Sequence, residues 1–511
     1  MPTSRRQRTA FAERLCAVVA TPSAAQAMRQ LRQARRFTHT IELRLDWLRS
    51  DHERSKFIAA LRRSARKGLT LIATCRRILG GGKLSGGAEA ELYWLTQARE
   101  AGCQWCDLEI ETLRELPGQT ARSLPIPPKI LLSFHDFART PPIPKKLLPG
   151  RNGEADAIKI AVRARTISDS LRLLQLARRS KDIVAVPMGE IGVPARLLAL
   201  REGSALAYAP VANVTAPGQV SPQDFKRLYR ADSITQKTQV YGVIGNPIVH
   251  SLSPLLHNTG FIAAKRDAVY LPFLVEKLND FVDAIPGFAL RGFSVTLPHK
   301  QSIMKYLSEC EPAAQKIGAV NTVTVGKTGK LSGSNTDYLG LLRALDGKLQ
   351  VRNSRVLIFG SGGSARAAAF ALTDAGAEVL ICARRHSSAR QLAQDCGAQV
   401  IARKYLASTN FELIVNATPV GMYPHAKASP LSARELNCKI VMDLIYRPLR
   451  TQLLRIAAAK GVRVVSGVEM FLAQGFAQWE LWTGKPAPEA AMRRAVLAQL
   501  RAEDASRIKR Q

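Results

Sequence analysis

The feature that most constrains the fold of this chain is a repeat of short apolar segments between residues 15 and about 210. Each is followed by a loop and mostly by a helical pattern, which is typical of parallel strands joined by helices. Eight such units in roughly 220 residues favour an α/β fold with a closed (β/α)8 barrel. The predicted strands are Leu15–Val19, Thr40–Leu45, Leu69–Thr74, Trp105–Glu109, Lys129–Ser133, Ala157–Ile160, Ile183–Val186 and Ala205–Tyr208.

Length and composition set the class of protein. The chain has 511 residues, enough for two to four domains of about 100–200 residues each. The apolar content of 46% is sufficient for ordinary hydrophobic cores. A formal net charge of +34 favours anionic partners, but Lys and Arg are spread along the chain, so we do not expect nucleic-acid binding. Eight scattered cysteines suit a reducing compartment.

No targeting or membrane segment is expected. Residues 1–14 contain several arginines but no apolar stretch, unlike a secretory signal. The longest uncharged stretches, 203–223 and 242–264, are interrupted by Pro, Asn, His and Ser, so neither is predicted to span a membrane. We therefore predict a cytoplasmic protein without membrane contact; the sequence does not indicate an oligomeric state.

A polar stretch at 230–237 separates the predicted barrel from a second series of strands and helices. The glycine turn at 360–363 follows the apolar segment 355–359 and opens a helix, the arrangement of a dinucleotide-binding Rossmann unit. The predicted domains are an N-terminal tail (1–14), the barrel (15–232), an α/β substrate-binding domain (238–336, completed by 467–490), a Rossmann domain (337–466), and a C-terminal helix with a basic tail (491–511).

The predicted sixth strand contains Lys159. A lysine is unfavourable inside an apolar strand unless its amine has a function. A desolvated lysine can attack a carbonyl group to form an imine. His135 lies at the end of the preceding strand, where an imidazole could move protons. Glu42, Arg44 and Arg76 lie at other strand ends, on the barrel face that usually holds the active site.

Six motifs in order and at matching spacing make residues 15–225 resemble type I 3-dehydroquinate dehydratase. They are ELRLD (42–46), ATCR (73–76), SFHDF (133–137), AIK (157–159), MGEIG (188–192) and TAPGQ (215–219). The resemblance implies that Lys159 forms an imine with the substrate and that His135 transfers protons during loss of water. It implies that Arg196 binds the substrate carboxylate. The residues expected to hold hydroxyl groups and order the pocket are Glu42, Arg44, Arg76, Tyr208, Thr215 and Gln219.

One loop departs from this family. Its members usually have a glutamate before paired glycines in the loop after the third strand. The present loop is LGGGK (79–83) and contains no acid. This leaves open which group contacts substrate or tunes pKa values there.

From about residue 240 to 484 the chain resembles shikimate dehydrogenase. The matching motifs are YGVIGNP (241–247), HSLSP (250–254), GFSVTLPHK (292–300), GAVNT (318–322), NTD (335–337), NATPVGM (416–422) and DLIYRP (443–448). The resemblance implies that Lys300 relays a proton with Asp337 holding its amine, and that Ser251 and Ser253 bind the carboxylate. Thr296, Asn321, Tyr446 and Gln474 are expected to complete the pocket. The family commonly has Asn at the position of Ser294.

The end of the next predicted strand indicates the cofactor. NAD enzymes place an acid about 20 residues after the glycine turn to bind the ribose hydroxyl. This chain has Arg384 and Arg385 instead, which favours the 2′-phosphate of NADP. The predicted cofactor-binding residues are Gly360, Ser361, Gly362, Gly363, Ser364, Arg384, Arg385, Thr418 and Gly467. No metal is expected.

Together the resemblances imply a bifunctional enzyme of the shikimate pathway. It would convert 3-dehydroquinate to 3-dehydroshikimate and reduce this product to shikimate with NADPH. Two alternatives stay open at this point. One is a second half that acts on quinate with NAD. The other is a metabolite-sensing regulator built on inactive pathway domains, although the presence of Lys159, His135, Lys300 and Asp337 together argues against it.

Overall fold

The computed structural model describes residues 11, 13–64, 68–116, 120–143, 155–212 and 218–508. The chain forms two compact units. The first comprises residues 1–239 and 272–289, and the second comprises residues 240–271 and 290–511. No helix in the described ranges is long and apolar enough to cross a bilayer.

Eight parallel strands form the core of the first unit, in the order β7-β6-β5-β4-β3-β2-β1-β8. Their bounds are β1 (Leu15–Val19), β2 (Thr40–Arg44), β3 (Thr70–Thr74), β4 (Trp105–Glu109), β5 (Lys129–Asp136), β6 (Ala157–Arg163), β7 (Ile183–Met188) and β8 (Ala207–Pro210). Between β7 and β8, the Ala205 N–H donates to Ile183 O at 3.0 Å. The sheet is therefore a near-closed (β/α)8 barrel, as the sequence predicts.

Within the described ranges, six helices follow barrel strands along the chain. In α1 and α5 the buried residues are mostly apolar and lie on one face, whereas α6 is buried over most of its surface. Their bounds are α1 (Ala24–Ala34), α2 (Asp51–Arg63), α3 (Ala88–Glu100), α4 (Ile110–Arg114), α5 (Ile167–Arg179) and α6 (Val193–Glu202). Side chains satisfy the free N–H groups at several helix starts. Ser23 accepts from Gln26 N, and Thr166 forms a reciprocal capping box with Asp169.

The second unit begins with a mixed six-stranded sheet of order β10-β9-β11-β13-β14-β12. The strands are β9 (Gln239–Gly245), β10 (Ala268–Leu274), β11 (Leu290–Val295), β12 (Glu309–Cys310), β13 (Thr322–Val325) and β14 (Leu331–Ser334). The helices along this stretch are α7 (Ser253–Ala263), α9 (Pro312–Ile317) and α10 (Thr336–Leu345), while α8 (Leu278–Phe288) belongs to the residues of the first unit. Strand β11 runs parallel to β9 and antiparallel to β13.

A parallel six-stranded sheet of order β17-β16-β15-β18-β19-β20 follows, which is the doubly wound Rossmann arrangement. The strands are β15 (Arg355–Phe359), β16 (Glu378–Cys382), β17 (Gln399–Val400), β18 (Phe411–Asn416), β19 (Cys438–Asp443) and β20 (Arg463–Val465). The helices are α11 (Gly363–Asp374), α12 (His386–Cys396), α13 (Gln452–Ala459), α14 (Gly467–Thr483) and α15 (Glu489–Ile508). Chain order reverses between β15 and β18, where such folds bind their ligands.

Candidate active sites

The amine of Lys159 lies inside the mouth of the barrel, between acids from two other strands. Its Nζ contacts the carboxylate of Asp107 on β4 and lies 3.4 Å from Glu42 Oε1 on β2. The same Nζ lies 4.6 Å from the centroid of the Tyr208 ring on β8. Only 6% of the Lys159 side chain is exposed, so the amine is desolvated and held by paired charges.

His135 lies on the same inner face as Lys159. In the β5–β6 ladder Ser133 pairs with Lys159. His135 is two residues beyond Ser133, so both β5 side chains point to the same side of the sheet. His135 Nδ1 lies 3.2 Å from Glu109 Oε1. The structure therefore brings together the two residues that the sequence assigns to imine formation and proton transfer.

A buried charge network surrounds this pair. Arg76 Nε donates to Glu109 Oε1 at 2.6 Å, and its Nη2 donates to Asp107 Oδ2 at 3.2 Å. Although burial favours a neutral acid, Lys159 and Arg76 hold the pKa of Asp107 well below its usual range. Arg76 and His135 likewise outweigh burial and lower the pKa of Glu109. Both carboxylates are therefore charged at neutral pH.

The imidazole of His135, unlike these two carboxylates, is kept in its neutral form. Burial, assisted by the positive charge of Arg76, lowers its pKa below the ordinary value, while Glu109 opposes the shift. A neutral imidazole at neutral pH is the form that can accept a proton.

Arg44 and Glu42 are both buried at the barrel mouth but have different partners. Arg44 forms a bidentate pair with Asp46, with Nε–Oδ1 and Nη2–Oδ2 distances of 2.9 and 2.7 Å. Glu42 Oε1 accepts from Thr74 Oγ1 at 2.8 Å. Arg44 therefore forms its ion pair with Asp46, while the Glu42 carboxylate lies beside Lys159.

The remaining predicted barrel residues lie on later elements. Arg196 on α6 is buried, its Nε donates to Pro187 O at 2.7 Å, and burial lowers its pKa to about 10. Tyr208 is buried on β8, and burial raises the pKa of its phenol. Gln219 is partly exposed. Thr215 lies outside the described residues, so its predicted role stays a prediction.

The second unit contains a cavity of about 320 Å³. Lys300 Nζ lies 2.5 Å from Asp337 Oδ2 at its wall. Asp337 is the second residue of α10, where the Asn335 side chain accepts from Asp337 N at 3.1 Å and fixes the helix start. All eight residues that the sequence assigns to this pocket line the cavity: Ser251, Ser253, Thr296, Lys300, Asn321, Asp337, Tyr446 and Gln474.

Ser294, which stands where the family commonly has Asn, joins a buried network beside the cavity. Its hydroxyl donates to Gln478 Oε1 at 2.9 Å and lies 2.6 Å from the Tyr270 hydroxyl. Gln478 Nε2 donates to Thr322 Oγ1 at 3.2 Å, and His257 Nε2 lies 3.1 Å from Gln478 Oε1. Ser294 and Gln478 both line the cavity, so an amide side chain reaches this region from helix α14.

The glycine turn after β15 is open. Gly360 has a φ of +126°, and a Cβ there would lie 3.0 Å from Ala417 O. A Cβ at Gly362 or Gly363 would meet nothing within 4 Å, so a ligand can approach this backbone and the N-terminus of α11. Ser364, the second residue of α11, also lines the cavity with Lys300 and Asp337.

The other predicted cofactor residues flank this turn. Arg384 and Arg385 are exposed just after β16, at the carboxyl edge of the sheet. Thr418 donates from its hydroxyl to Asn416 Oδ1 at 2.7 Å, which orders the loop after β18. Gly467 begins α14, where a Cβ would lie 2.5 Å from Ile445 O, so only glycine fits.

Three residues of these sites, Asp107, Glu109 and Gln478, have no role assigned from the sequence. Asp107 and Glu109 alternate on one buried strand, and such i, i+2 acids face the same barrel interior. Gln478 follows Gln474 by one helical turn on α14 and therefore shares its face. The i, i+2 spacing on β4 and the i, i+4 spacing on α14 are the sequence signals that could have identified these three residues.

The chain is an α/β enzyme with two sites. One is the buried Lys159–His135 pair in the barrel, and the other is the cavity with Lys300 and Asp337 in the unit that contains the Rossmann sheet. Residues 15–236 match the type I 3-dehydroquinase model. Residues 243–323 match the shikimate dehydrogenase substrate-binding domain, and residues 467–497 match the C-terminal domain of shikimate 5′-dehydrogenase. Residues 355–446 match the model of the coenzyme F420-dependent NADP oxidoreductases.

The chain is also similar to individual proteins. The chain is 32% identical over 476 residues to the chloroplastic bifunctional 3-dehydroquinate dehydratase/shikimate dehydrogenase of Arabidopsis thaliana, covering 88% of this chain and 78% of the relative. It is 41% identical to the NADP⁺ shikimate dehydrogenase of Bacillus mycoides, over 51% of this chain and 99% of that protein. A Thermus thermophilus shikimate 5-dehydrogenase solved with NADP(H) and shikimate is 36% identical, covers 50% of this chain and 98% of its own, and has a TM-score of 0.47. The chain belongs to the bifunctional 3-dehydroquinate dehydratase/shikimate dehydrogenase family.

Proposed function

We propose that the barrel dehydrates 3-dehydroquinate to 3-dehydroshikimate and that the second unit reduces this product to shikimate with NADPH. The observation that supports this most directly is that each of the two lysine amines lies beside the residue expected to work with it. Lys159 and His135 share the inner face of the barrel, and Lys300 lies 2.5 Å from Asp337 at the cavity.

In the barrel, Lys159 gives up a proton, and its neutral amine attacks the ketone of the substrate; the ketone oxygen leaves as water, and an iminium ion forms. The iminium ion acidifies the neighbouring carbon, from which neutral His135 removes a proton. The resulting imidazolium then protonates the departing hydroxyl group, so a second water leaves. Hydrolysis of the imine releases the product and restores Lys159. Arg196 would bind the substrate carboxylate, and Tyr208, Gln219 and Thr215 would contact hydroxyl groups.

In the second unit, Lys300 would donate or relay the proton that the developing alkoxide needs, and Asp337 would hold its amine. Ser251 and Ser253 would bind the carboxylate at the other side of the cavity. Asn321 is prearranged by contacts from the next helix, since its Oδ1 accepts from Thr336 N at 2.7 Å. Thr296, Tyr446 and Gln474 would contact the remaining groups of the substrate.

The residues around the glycine turn fit NADP. The open backbone at Gly362 and Gly363 would hold the pyrophosphate together with Ser361, Ser364 and the helix N-terminus. Arg384 and Arg385 would bind the 2′-phosphate, and no carboxylate follows β16 to favour NAD. When bound, the nicotinamide supplies the hydride for ketone reduction.

A cytoplasmic location is part of the proposal. None of the eight cysteines, all of which lie in the described ranges, forms a disulfide, and five of them are buried, which suits a reducing compartment.

The test combines assays and chemical trapping on the full chain. We expect the protein to dehydrate 3-dehydroquinate and to reduce 3-dehydroshikimate with NADPH in preference to NADH. Borohydride added with 3-dehydroquinate should attach the reduced adduct to Lys159, as mapped by peptide mass spectrometry. Modification at another lysine would refute the imine mechanism, and a preference for NADH with quinate would refute the assignment of the second unit.

A further inference from the structure

The loop that lacks the family acid passes directly over Glu109. A Cβ built on Gly80 would lie 2.7 Å from Glu109 Oε2 and 3.2 Å from Glu109 Cδ. Such a distance is too short for any side chain at position 80 while Glu109 keeps its place. Glycine at position 80 therefore allows the Glu109 carboxylate to lie where it does.

Glu109 in turn is fixed towards His135. Its Oε1 accepts from Arg76 Nε at 2.6 Å and lies 3.0 Å from Ser133 Oγ, whose shorter contact, 2.5 Å, is to Asp107 Oδ1. The same Oε1 lies 3.2 Å from His135 Nδ1, which has no hydrogen-bond partner among the described residues, so the approach is a charge contact. Glu109 Oε2 is buried without a hydrogen-bond partner in the part of the chain that the structure describes. Burying a carboxylate with one oxygen that accepts no hydrogen bond lowers the stability of the fold, which indicates that Glu109 has a role beyond packing.

We propose that Glu109 is the positioning residue of His135 in this chain, supplied from strand β4 into the space left by Gly80 in place of the acid that the family has in the loop. This inference deepens the dehydratase function proposed above and rests on it. Glu109 acts through the imidazole and does not touch the substrate.

The consequence for the imidazole is both geometric and electrostatic. A carboxylate facing Nδ1 favours the tautomer with its proton on Nδ1, which leaves Nε2 to accept the substrate proton. The same charge stabilises the imidazolium ion that forms in that step. The other charged groups around His135 are Arg76 and Lys159, which destabilise the imidazolium, and Asp107 within the same network.

The first experiment replaces Glu109 by Gln, which keeps the shape and removes the charge. We expect the dehydratase kcat to fall about 10- to 100-fold with little change in KM. Because Glu109 raises the pKa of His135, its removal should also move the acidic limb of the pH profile to lower pH. Borohydride trapping at Lys159 and the NADPH-dependent reductase of the same chain should persist, which separates this effect from misfolding.

The second experiment returns the acid to the loop. Gly80→Glu alone should lose activity, because its side chain collides with the Glu109 carboxylate and adds a second negative charge. The double variant Gly80→Glu/Glu109→Gln should be at least several-fold more active than Glu109→Gln alone. Glu109→Asp, which keeps the charge on a shorter side chain, should lie between Glu109→Gln and the parent.

The matched control is Glu115→Gln, which removes a half-exposed carboxylate bound to Arg77 and should leave kcat and the pH profile unchanged. A Glu109→Gln enzyme with parental kcat and acidic limb would overturn the proposal. A double variant no more active than Glu109→Gln, while still trapping substrate at Lys159, would do so too. If the parent chain itself does not dehydrate 3-dehydroquinate, the proposed function fails instead.

Discussion

The two lysine sites of this chain differ in how they hold a reactive amine. The Lys159 side chain is 6% exposed and contacts the carboxylates of Asp107 and Glu42, whereas the Lys300 side chain is 19% exposed and pairs with Asp337 beside an open cavity. A group that becomes covalently attached to substrate benefits from fixed charges and exclusion of water. A group that passes a proton must exchange it with solvent between turnovers, which suits a more accessible amine.

The largest effect should come from replacing Lys159 by Met, which removes the nucleophile and keeps most of the volume. Dehydratase kcat should fall about 10⁴-fold or more, the scale seen when a covalent nucleophile is removed. NADPH-dependent reduction by the same protein should continue at the parental rate. Both rates can be followed spectrophotometrically on one preparation. Residual dehydration within tenfold of the parent would show that the imine is not required.

The reciprocal change is Lys300→Met. Loss of the proton donor should lower reductase kcat about 10²- to 10⁴-fold, the usual contribution of general acid–base catalysis. Dehydration in the barrel should be unaffected. Titration of shikimate binding by the quenching of tryptophan fluorescence would separate loss of binding from loss of chemistry. An equal loss in both activities would mean that the substitution disturbs the fold and not one site.

The smallest effect should come from Arg384→Ser at the exposed edge of the Rossmann sheet. Loss of one charge-assisted contact to the 2′-phosphate should raise KM for NADPH about tenfold, or about 1.4 kcal/mol. KM for NADH should change little, because NADH has no phosphate at that position. Steady-state kinetics with both cofactors measure the ratio directly. An equal rise for both cofactors would place Arg384 near the shared part of the nucleotide.

Much of this architecture can be predicted from the sequence, because the apolar segments of the sequence are the segments that are buried as strands. Strands β1 and β4 have the predicted bounds, since their residues are buried throughout and end at clear loops. Strand β5 extends to Asp136, past the predicted end at Ser133, because the ladder with β6 continues through His135 and Ala161. The polar side chains of the catalytic segment resemble a loop in sequence, although their backbone belongs to the sheet. Strand β8 begins at Ala207 and not at Ala205, whose N–H bonds to β7.

The candidate sites divide in the same way. Residues in contiguous motifs, such as Lys300 and Asp337, could be identified because the motif fixes the local backbone. The spacing on β4 could place Glu109 on the inner face of the barrel, but its approach to His135 on the neighbouring strand could not be predicted. Side-chain contacts between distant segments depend on packing, which a linear pattern does not contain.

Helix α14 contributes to two places in the second unit. It begins at Gly467 against the loop of Ile445, and further along it places Gln474 and Gln478 at the cavity. A single helix of 17 residues is stiff over this length. A change in the width of the cavity that moves α14 would therefore occur where this helix begins and ends. We therefore expect hinge motions to concentrate at Ser466 and Gly484.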